Sequence, residues 1–137
     1  MRYFFYIVLV LLVVSCNATK KVPSGSYLLN KVKINTDTRS VSESDLKPYL
    51  RQRPNSSMLF FGKVKLHAYN IPNNDSTWLN RQFLKFGELP VLYSDRLTGL
   101  SIEQIRLQLN NKGYLNAEVD TIVGKKNKKA NVTYKVT

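Results

Sequence analysis

The sequence predicts an α+β domain in which a small mixed sheet is covered by two helices on one face, in the order β–α–(insertion)–α–β–β. Three observations carry this reading. Residues 27–35, YLLNKVKIN, have the period of two of a half-buried strand, and a helix start follows at 42–45. Residues 101–109 combine a capping box with an apolar stripe that runs on to Gly113. Beyond Gly113, two alternating runs flank a Lys-rich turn, which is the pattern of a hairpin. Strands of this kind bury one sheet face under helices.

Ahead of the domain, Arg2 is followed by an unbroken apolar run from Tyr3 to Val14. A membrane-spanning helix needs about 20 such residues. The shorter run fits the hydrophobic region of a secretory signal, with small residues at its end. Val13-Val14-Ser15-Cys16 resembles the bacterial lipobox, in which the cysteine thiol receives a diacylglycerol and cleavage in front of it frees an amino group for acylation. Residues 1–15 are thus read as a lipoprotein signal peptide, 16–26 as a lipid tether, and 27–137 as the domain, with an insertion at about 55–92. Two other readings are an ordinary secretory signal with an incidental cysteine, and a short uncleaved anchor. Each places the body outside the cytoplasm. Cys16 is the single cysteine, which excludes an internal disulfide and a Cys-based zinc site.

Lys and Arg number 21 against 9 Asp and Glu. In a cytoplasmic protein that balance points to nucleic acid. Export removes that partner, leaving acidic lipid headgroups as the nearer counter-charge, or a basic surface that only keeps the domain soluble.

Within the first strand, Leu28, Val32 and Ile34 share a face, interrupted by Asn30. Ser42-Glu43-Ser44-Asp45 approximates a capping box, and Val41 can staple to Leu46. Pro48 conflicts with that start, and an N-cap at Asp45 would tolerate it better. Leu46, Tyr49 and Leu50 form the apolar stripe, and Pro54 is expected to end the helix. Between Lys63 and Tyr69, Val64, Leu66 and Ala68 alternate with Lys63, Lys65, His67 and Tyr69, which suits a strand. Thr77–Phe86 reads as a helix with Trp78, Leu79, Phe83 and Phe86 on one face, and Gly87 as its C′ residue. That face is expected to pack on the core. The functional alternative is an interfacial helix in which Trp78, Phe83 and Phe86 touch a membrane. Ser101-Ile102-Glu103-Gln104 is a capping box, with Ile102, Ile105 and Leu109 in a stripe. Leu115, Ala117 and Val119 alternate with Asn116, Glu118 and Asp120. Gly124–Lys129 is the expected turn, and Ala130, Val132, Tyr134 and Val136 form the inward face of the last strand.

LTGLSIEQIRLQL followed by NNKGYLNAEV resembles the POTRA domain of BamA/TamA-like outer-membrane assembly proteins. In that family the second helix runs into a basic-or-Asn, Gly, aromatic turn ahead of a β-hairpin, and Asn111-Lys112-Gly113-Tyr114 matches it. VPSGSYLLNKVKI, SDLKPYLRQRPN and GELPVLYSDRLT look like the lipoprotein-type branch, so the resemblance covers most of residues 23–136. Two features depart from it. The segment Asn55–Leu92 is longer than a minimal POTRA domain needs. The family also carries further such modules and a membrane β-barrel, for which this chain has no room. The chain stops after a strand, so both a fragment of a longer protein and a form lacking the barrel remain open.

The resemblance implies an interaction module. An extended segment can add to a sheet edge through main-chain hydrogen bonds that ask little of its sequence. The candidate edge is Leu115, Asn116, Ala117, Glu118 and Val119. The plainer reading is that these residues only complete the domain's own sheet or dock a neighbouring module. The implied partners are outer-membrane protein clients or assembly-machinery subunits, and a membrane reached through the lipid on Cys16, with no nucleic acid. The expected place is the outer membrane, lipid-anchored and facing the periplasm, with surface exposure also open. Enzymatic readings fail on inventory. His67 is the single histidine, Asp75, Glu88, Asp95 and Glu103 are scattered, and the glycines form no phosphate loop, so no catalytic residue, metal or cofactor is expected beyond the covalent lipid. Two alternatives stand beside the assembly module: an envelope lipoprotein that binds a membrane surface or acidic polymer through its basic face, and a purely structural spacer.

Overall fold

The computed structural model describes residues 18–37, 40–57, 63–71 and 77–137. The signal-peptide reading and Cys16 lie outside the described residues. The chain divides into two compact units. One, the sheet unit, is residues 23–54 with 91–137. The other, the helical unit, is residues 55–90 with the segment before Pro23.

The sheet unit holds β1 (Leu28–Thr36), α1 (Glu43–Leu46), a 3-10 turn at Lys47–Tyr49, and, after the segment that belongs to the other unit, the long helix Asp95–Asn111 and the strands β2 (Val119–Lys126) and β3 (Lys129–Val136). The sheet order is β1-β3-β2, with β1 parallel and β2 antiparallel to the central β3. This is the mixed α+β arrangement the sequence predicts. Leu46 of α1 and Ile105 and Leu109 of the long helix cover one sheet face, formed by Leu29, Ile34, Val119, Val132, Tyr134 and Val136. The other face carries Lys31, Lys33, Asp120, Ile122 and Lys135, all exposed.

The inward face of β1 differs from the expected one. Leu29 pairs with Ala130 and Lys31 with Asn131, so Asn30 is one residue too many and the strand bulges there. The bulge moves the core-facing position from Leu28 to Leu29, while Val32 and Ile34 keep theirs. Asn30 uses its side chain on Asn131, Nδ2 donating to Oδ1 at 2.8 Å.

The first helix is also shorter than expected. Ser42 is its N-cap, its Oγ accepting from the Asp45 N–H at 3.4 Å, so the shift to Asp45 is not needed. Pro48 is accommodated by a change to 3-10 geometry over Lys47–Tyr49, and the helix stops at Leu50, before Pro54. The long helix begins about two turns earlier than Ser101. Ser94 is the cap, its Oγ accepting from Leu97 N–H at 3.4 Å. Ser101 is mid-helix and fully buried. It donates to the Leu97 carbonyl at 2.8 Å and accepts from the Arg51 N–H at 2.9 Å, which docks the chain after α1 onto the helix. Gln52 repeats the device. Its Nε2 donates to Thr98 Oγ1 at 2.8 Å and to the Ser94 carbonyl at 3.1 Å, and its Oε1 accepts from Ser94 N–H at 3.2 Å.

The helix ends as expected at Gly113, whose φ is +92°. Gly113 N–H bonds to the Asn110 carbonyl and Tyr114 N–H to the Leu109 carbonyl, the double closure of a Schellman motif. The hairpin turn is tighter than Gly124–Lys129. Only Asn127 and Lys128 leave the strands, with φ of 50° and 56°, the two left-handed residues of a type I′ turn. Gly124 lies inside β2.

The described part of the helical unit contains α2 (Val64–Asn70), α3 (Trp78–Phe86) and the residues from Ala18 to Val22; the long helix of the sheet unit is therefore α4. The expected strand at Lys63–Tyr69 is α2. Seven residues are too few for alternation to exclude a helix, and Leu66 and Asn70, one turn apart, are both buried. Asn55 Nδ2 donates to the Leu89 carbonyl at 2.6 Å, and Ser56 donates to Glu88 Oε2 from N–H at 3.1 Å and Oγ at 2.7 Å. These bonds draw the two ends of the 55–90 segment together. Gly87 ends α3 in an extended conformation, φ −70° and ψ 156°, rather than a left-handed one. Its lack of a side chain serves a close approach, since a Cβ there would stand 2.7 Å from the Cα of Tyr69.

Candidate functional site

The residues singled out as a strand edge do not form one as a group. Gly113 to Ala117 are taken up by the helix terminus and a following turn closed by Ala117 N–H on the Tyr114 carbonyl at 3.3 Å. Leu115 and Asn116 are exposed there, Leu115 at 76 %. The ladder begins at Glu118, whose backbone pairs with Thr137, and the strand proper at Val119. Leu115, Asn116 and Ala117 instead line a cleft of about 310 Å³, together with Val41, Leu109 and Val136. The alternation at 115–119 is real, but the turn that follows the Schellman closure, Ala117 N–H on the Tyr114 carbonyl, takes up the first three residues before the strand starts.

The open edge is the rest of β2. Glu118 and Thr137 are a doubly hydrogen-bonded pair, so Asp120, Ile122, Gly124 and Lys126 also exchange bonds with β3. Val119, Thr121, Val123 and Lys125 therefore turn their N–H and C=O groups away from β3. Among the described residues no backbone group bonds to that outer side. The opposite edge is partly closed. Leu29 N–H bonds to the Val91 carbonyl, Tyr93 N–H to the Tyr27 carbonyl, and Leu28 forms a bridge with Leu92. Of the two edges, β2 is the one without a backbone partner along its length among the described residues.

Sequence reasoning missed Thr121 and Val123. The signal was present in Asp120-Thr121-Ile122-Val123, a β-branched run continuous with Val119.

The edge is electrically graded. Glu118 and Asp120 stand at its start, and Lys125, Lys126, Lys128 and Lys129 at the hairpin. Lys125 Nζ lies 4.8 Å from the centre of the Tyr93 ring and 5.4 Å from that of Tyr27, a cation–π pairing. Tyr93 donates its hydroxyl to Asp95 Oδ1 at 2.5 Å. Burial, followed by that hydrogen bond, pushes the Tyr93 phenol up to about 12. On the helix side, the Lys112 ammonium, 3.2 Å from Asp45 Oδ2, holds the Asp45 carboxyl below its ordinary range. In the helical unit the Ser56 hydroxyl does the same for Glu88.

Trp78, Phe83 and Phe86 do not pack on a core. They are 64 %, 40 % and 58 % exposed, with Leu79 at 55 %, and α3 has no buried residue. The expected core-facing helix is corrected here, since its inner side is Asn80 and Leu84, each only partly buried. Among the described residues no helix is long and apolar enough to cross a membrane, and no group of three His, Cys, Asp or Glu could hold a metal ion.

A family model described as "POTRA: Surface antigen variable number repeat" matches residues 27–137. No curated protein and no solved structure matches the chain.

Proposed function

The chain belongs to the POTRA family, whose domains are interaction modules of outer-membrane assembly or secretion, and we propose that it binds extended segments of outer-membrane proteins or of their assembly machinery by strand addition along β2. The observation that supports this is the outward row of backbone groups at Val119, Thr121 and Val123. A client strand laid there gains main-chain hydrogen bonds whatever its side chains, which suits a partner set defined by shape rather than sequence. The Glu118–Asp120 and Lys125–Lys129 ends bias its direction through charge. The cleft lined by Leu115 and Ala117 adjoins the start of the edge, where a bulky apolar residue of the client would fit.

The reading extends to place. The apolar run Tyr3–Val14 and the Val13-Val14-Ser15-Cys16 motif support acylation at Cys16 and a periplasmic station at the outer membrane. Two or three acyl chains anchor stably, at about 0.8 kcal/mol for each buried CH₂. The module's contribution is then to hold a client near the bilayer with no bond made or broken.

Amide hydrogen exchange tests the reading on the full chain in micelles. Peptides of about 9–11 residues, the length of a barrel strand, are titrated in. In the free protein the amides of Asp120, Ile122 and Gly124 are protected by β3, while those of Thr121 and Val123 exchange quickly. Binding protects Thr121 and Val123 selectively. Unchanged exchange at both amides under saturating peptide overturns strand addition at β2.

A further inference from the structure

The helical unit presents an amphipathic helix with its apolar side outward. At about 100° per residue, Trp78, Gln82, Phe86, Leu79 and Phe83 of α3 fall within one arc. Asn80 and Leu84, the residues with most cover, fall opposite. Arg81 and Lys85 lie on the rim of the apolar arc, next to Trp78. A monomeric domain gains nothing by exposing three large aromatic residues together, and such a patch marks a surface that is covered in use.

Two observations identify the cover. The first is charge. Lys20, Lys21, Lys63, Lys65, Arg81 and Lys85 are the basic residues in the described part of this unit, and Glu88 is its acid. The second is chain continuity. Asn70 Nδ2 donates to the Ala18 carbonyl at 3.2 Å. Lys21 Nζ donates to the Tyr69 carbonyl at 2.7 Å and stands 4.4 Å over the Tyr69 ring. The chain two residues past Cys16 is therefore fastened to α2. At about 3.5 Å per residue, Cys16 is within about 7 Å along the chain of a point held to this unit. This step, and no other, rests on the acylation of Cys16 proposed above.

We propose that α3 lies flat on an anionic phospholipid leaflet, with Trp78, Phe83 and Phe86 at the level of the headgroups and Arg81 and Lys85 against their phosphates. Trp and Phe favour the interface because an apolar body meets a wet boundary there, and basic rims favour anionic lipid. The segment 55–90 is then a foot that fixes the height and orientation of its unit on the membrane, a task a flexible tether alone cannot perform.

Trp78 is the sole tryptophan of the chain, so its fluorescence reports on α3 directly. The full chain is reconstituted on vesicles of phosphatidylcholine alone and of phosphatidylcholine with phosphatidylglycerol, each with and without brominated acyl chains. On the anionic vesicles Trp78 emission shifts to the blue, is quenched by the bromolipid and is shielded from acrylamide. On phosphatidylcholine alone these changes are smaller. Replacing Arg81 and Lys85 together with Glu lowers the ratio of seated to unseated α3 about tenfold or more. These residues are exposed, and an unchanged far-ultraviolet dichroism spectrum shows that the variant is folded. Three results overturn the proposal. The first is a Trp78 open to acrylamide and untouched by bromolipid on anionic vesicles. The second is an equal response on both vesicle types. The third is a blue shift that follows protein concentration without vesicles, which would mean that a second copy covers the face. Mass analysis of Cys16 in the same sample separates a failed anchor from a failed α3, because Trp78 reads the helix whether or not the thiol is acylated.

Discussion

Glu118 and Thr137 exchange both of their backbone hydrogen bonds, the N–H of Glu118 reaching the Thr137 carbonyl at 3.0 Å and the return bond measuring 3.1 Å. This pair fixes the phase of the whole β2–β3 ladder, since bonded and non-bonded pairs must alternate from it. It determines which amides of β2 belong to the fold and which are offered outward.

The phase makes two neighbouring proline substitutions behave differently. Thr121→Pro removes an outward N–H and leaves the ladder to β3 intact, as proline is tolerated on an edge whose N–H faces solvent. Ile122→Pro removes the N–H facing Thr133 and leaves a ladder carbonyl without its donor, at a cost of about 1–3 kcal/mol. Chemical denaturation should therefore show Thr121→Pro close to the wild type and Ile122→Pro clearly destabilised. Peptide titration should show loss of binding in Thr121→Pro. Normal peptide binding by folded Thr121→Pro would contradict the edge assignment.

What could be read from the sequence, and what could not, follows the range of the interactions. The end of α4 was legible because Gly113, Tyr114 and Leu109 decide it within six residues. The inward alternation of Ala130, Val132, Tyr134 and Val136 was legible for the same reason, β3 being the central strand with one buried face. The Asn30 bulge depends on a partner 101 residues away and leaves no local mark beyond a polar interruption. Ser101 resembles a cap because Gln104 stands three residues on and completes the S-x-x-Q spacing of a capping box. Only the docked Arg51 amide shows why a serine sits inside the helix. In α3 the amphipathic pattern was plain, but a pattern does not say which side faces the protein. The candidate edge starts four residues ahead of β2, since alternation does not tell a turn from a strand.

Gly87→Ala tests the helical unit alone. Its Cβ would meet the Cα, Cβ and N of Tyr69 at 2.7 to 2.8 Å, and backbone atoms of α2 cannot rotate aside. Overpacking of this kind costs about 1–3 kcal/mol. Amide exchange across α2 and α3 should accelerate, while the protected amides of β2 and β3 keep their rates. Uniform acceleration in both units would show that the clash is not local.

Tyr134 is fully buried in the sheet core, and its hydroxyl has no hydrogen-bond partner among the described residues. An unsatisfied buried donor costs about 1–3 kcal/mol, so removing it should cost nothing. Tyr134→Phe is expected to match or exceed the wild type in stability measured by denaturant titration, with a gain of up to about 1–3 kcal/mol, the penalty carried by the orphaned hydroxyl. Marked destabilisation would reveal a partner for the hydroxyl, such as an ordered water.

Tyr93 gives the sheet unit a defined alkaline limit. Its phenol is raised from 10.0 to about 12, first by burial and then by the hydrogen bond it donates to Asp95. A group whose folded value lies above its unfolded value stabilises the protein fully below the unfolded value. As the pH rises past 10 the unfolded chain releases this proton while the folded chain retains it, and stability falls until the folded phenol also ionises near 12. Tyr93→Phe keeps the ring beside Lys125 but removes the titrating group. Its stability should therefore fall less steeply than the wild type's over that window, although it loses the bond to Asp95 at neutral pH. Denaturant midpoints measured across the window, together with tyrosinate absorbance of the folded protein, check both halves of the argument. Parallel curves for the two proteins would show that the phenol ionises equally in both states, and that burial at the Tyr27–Tyr93–Lys125 corner is too slight to hold its proton.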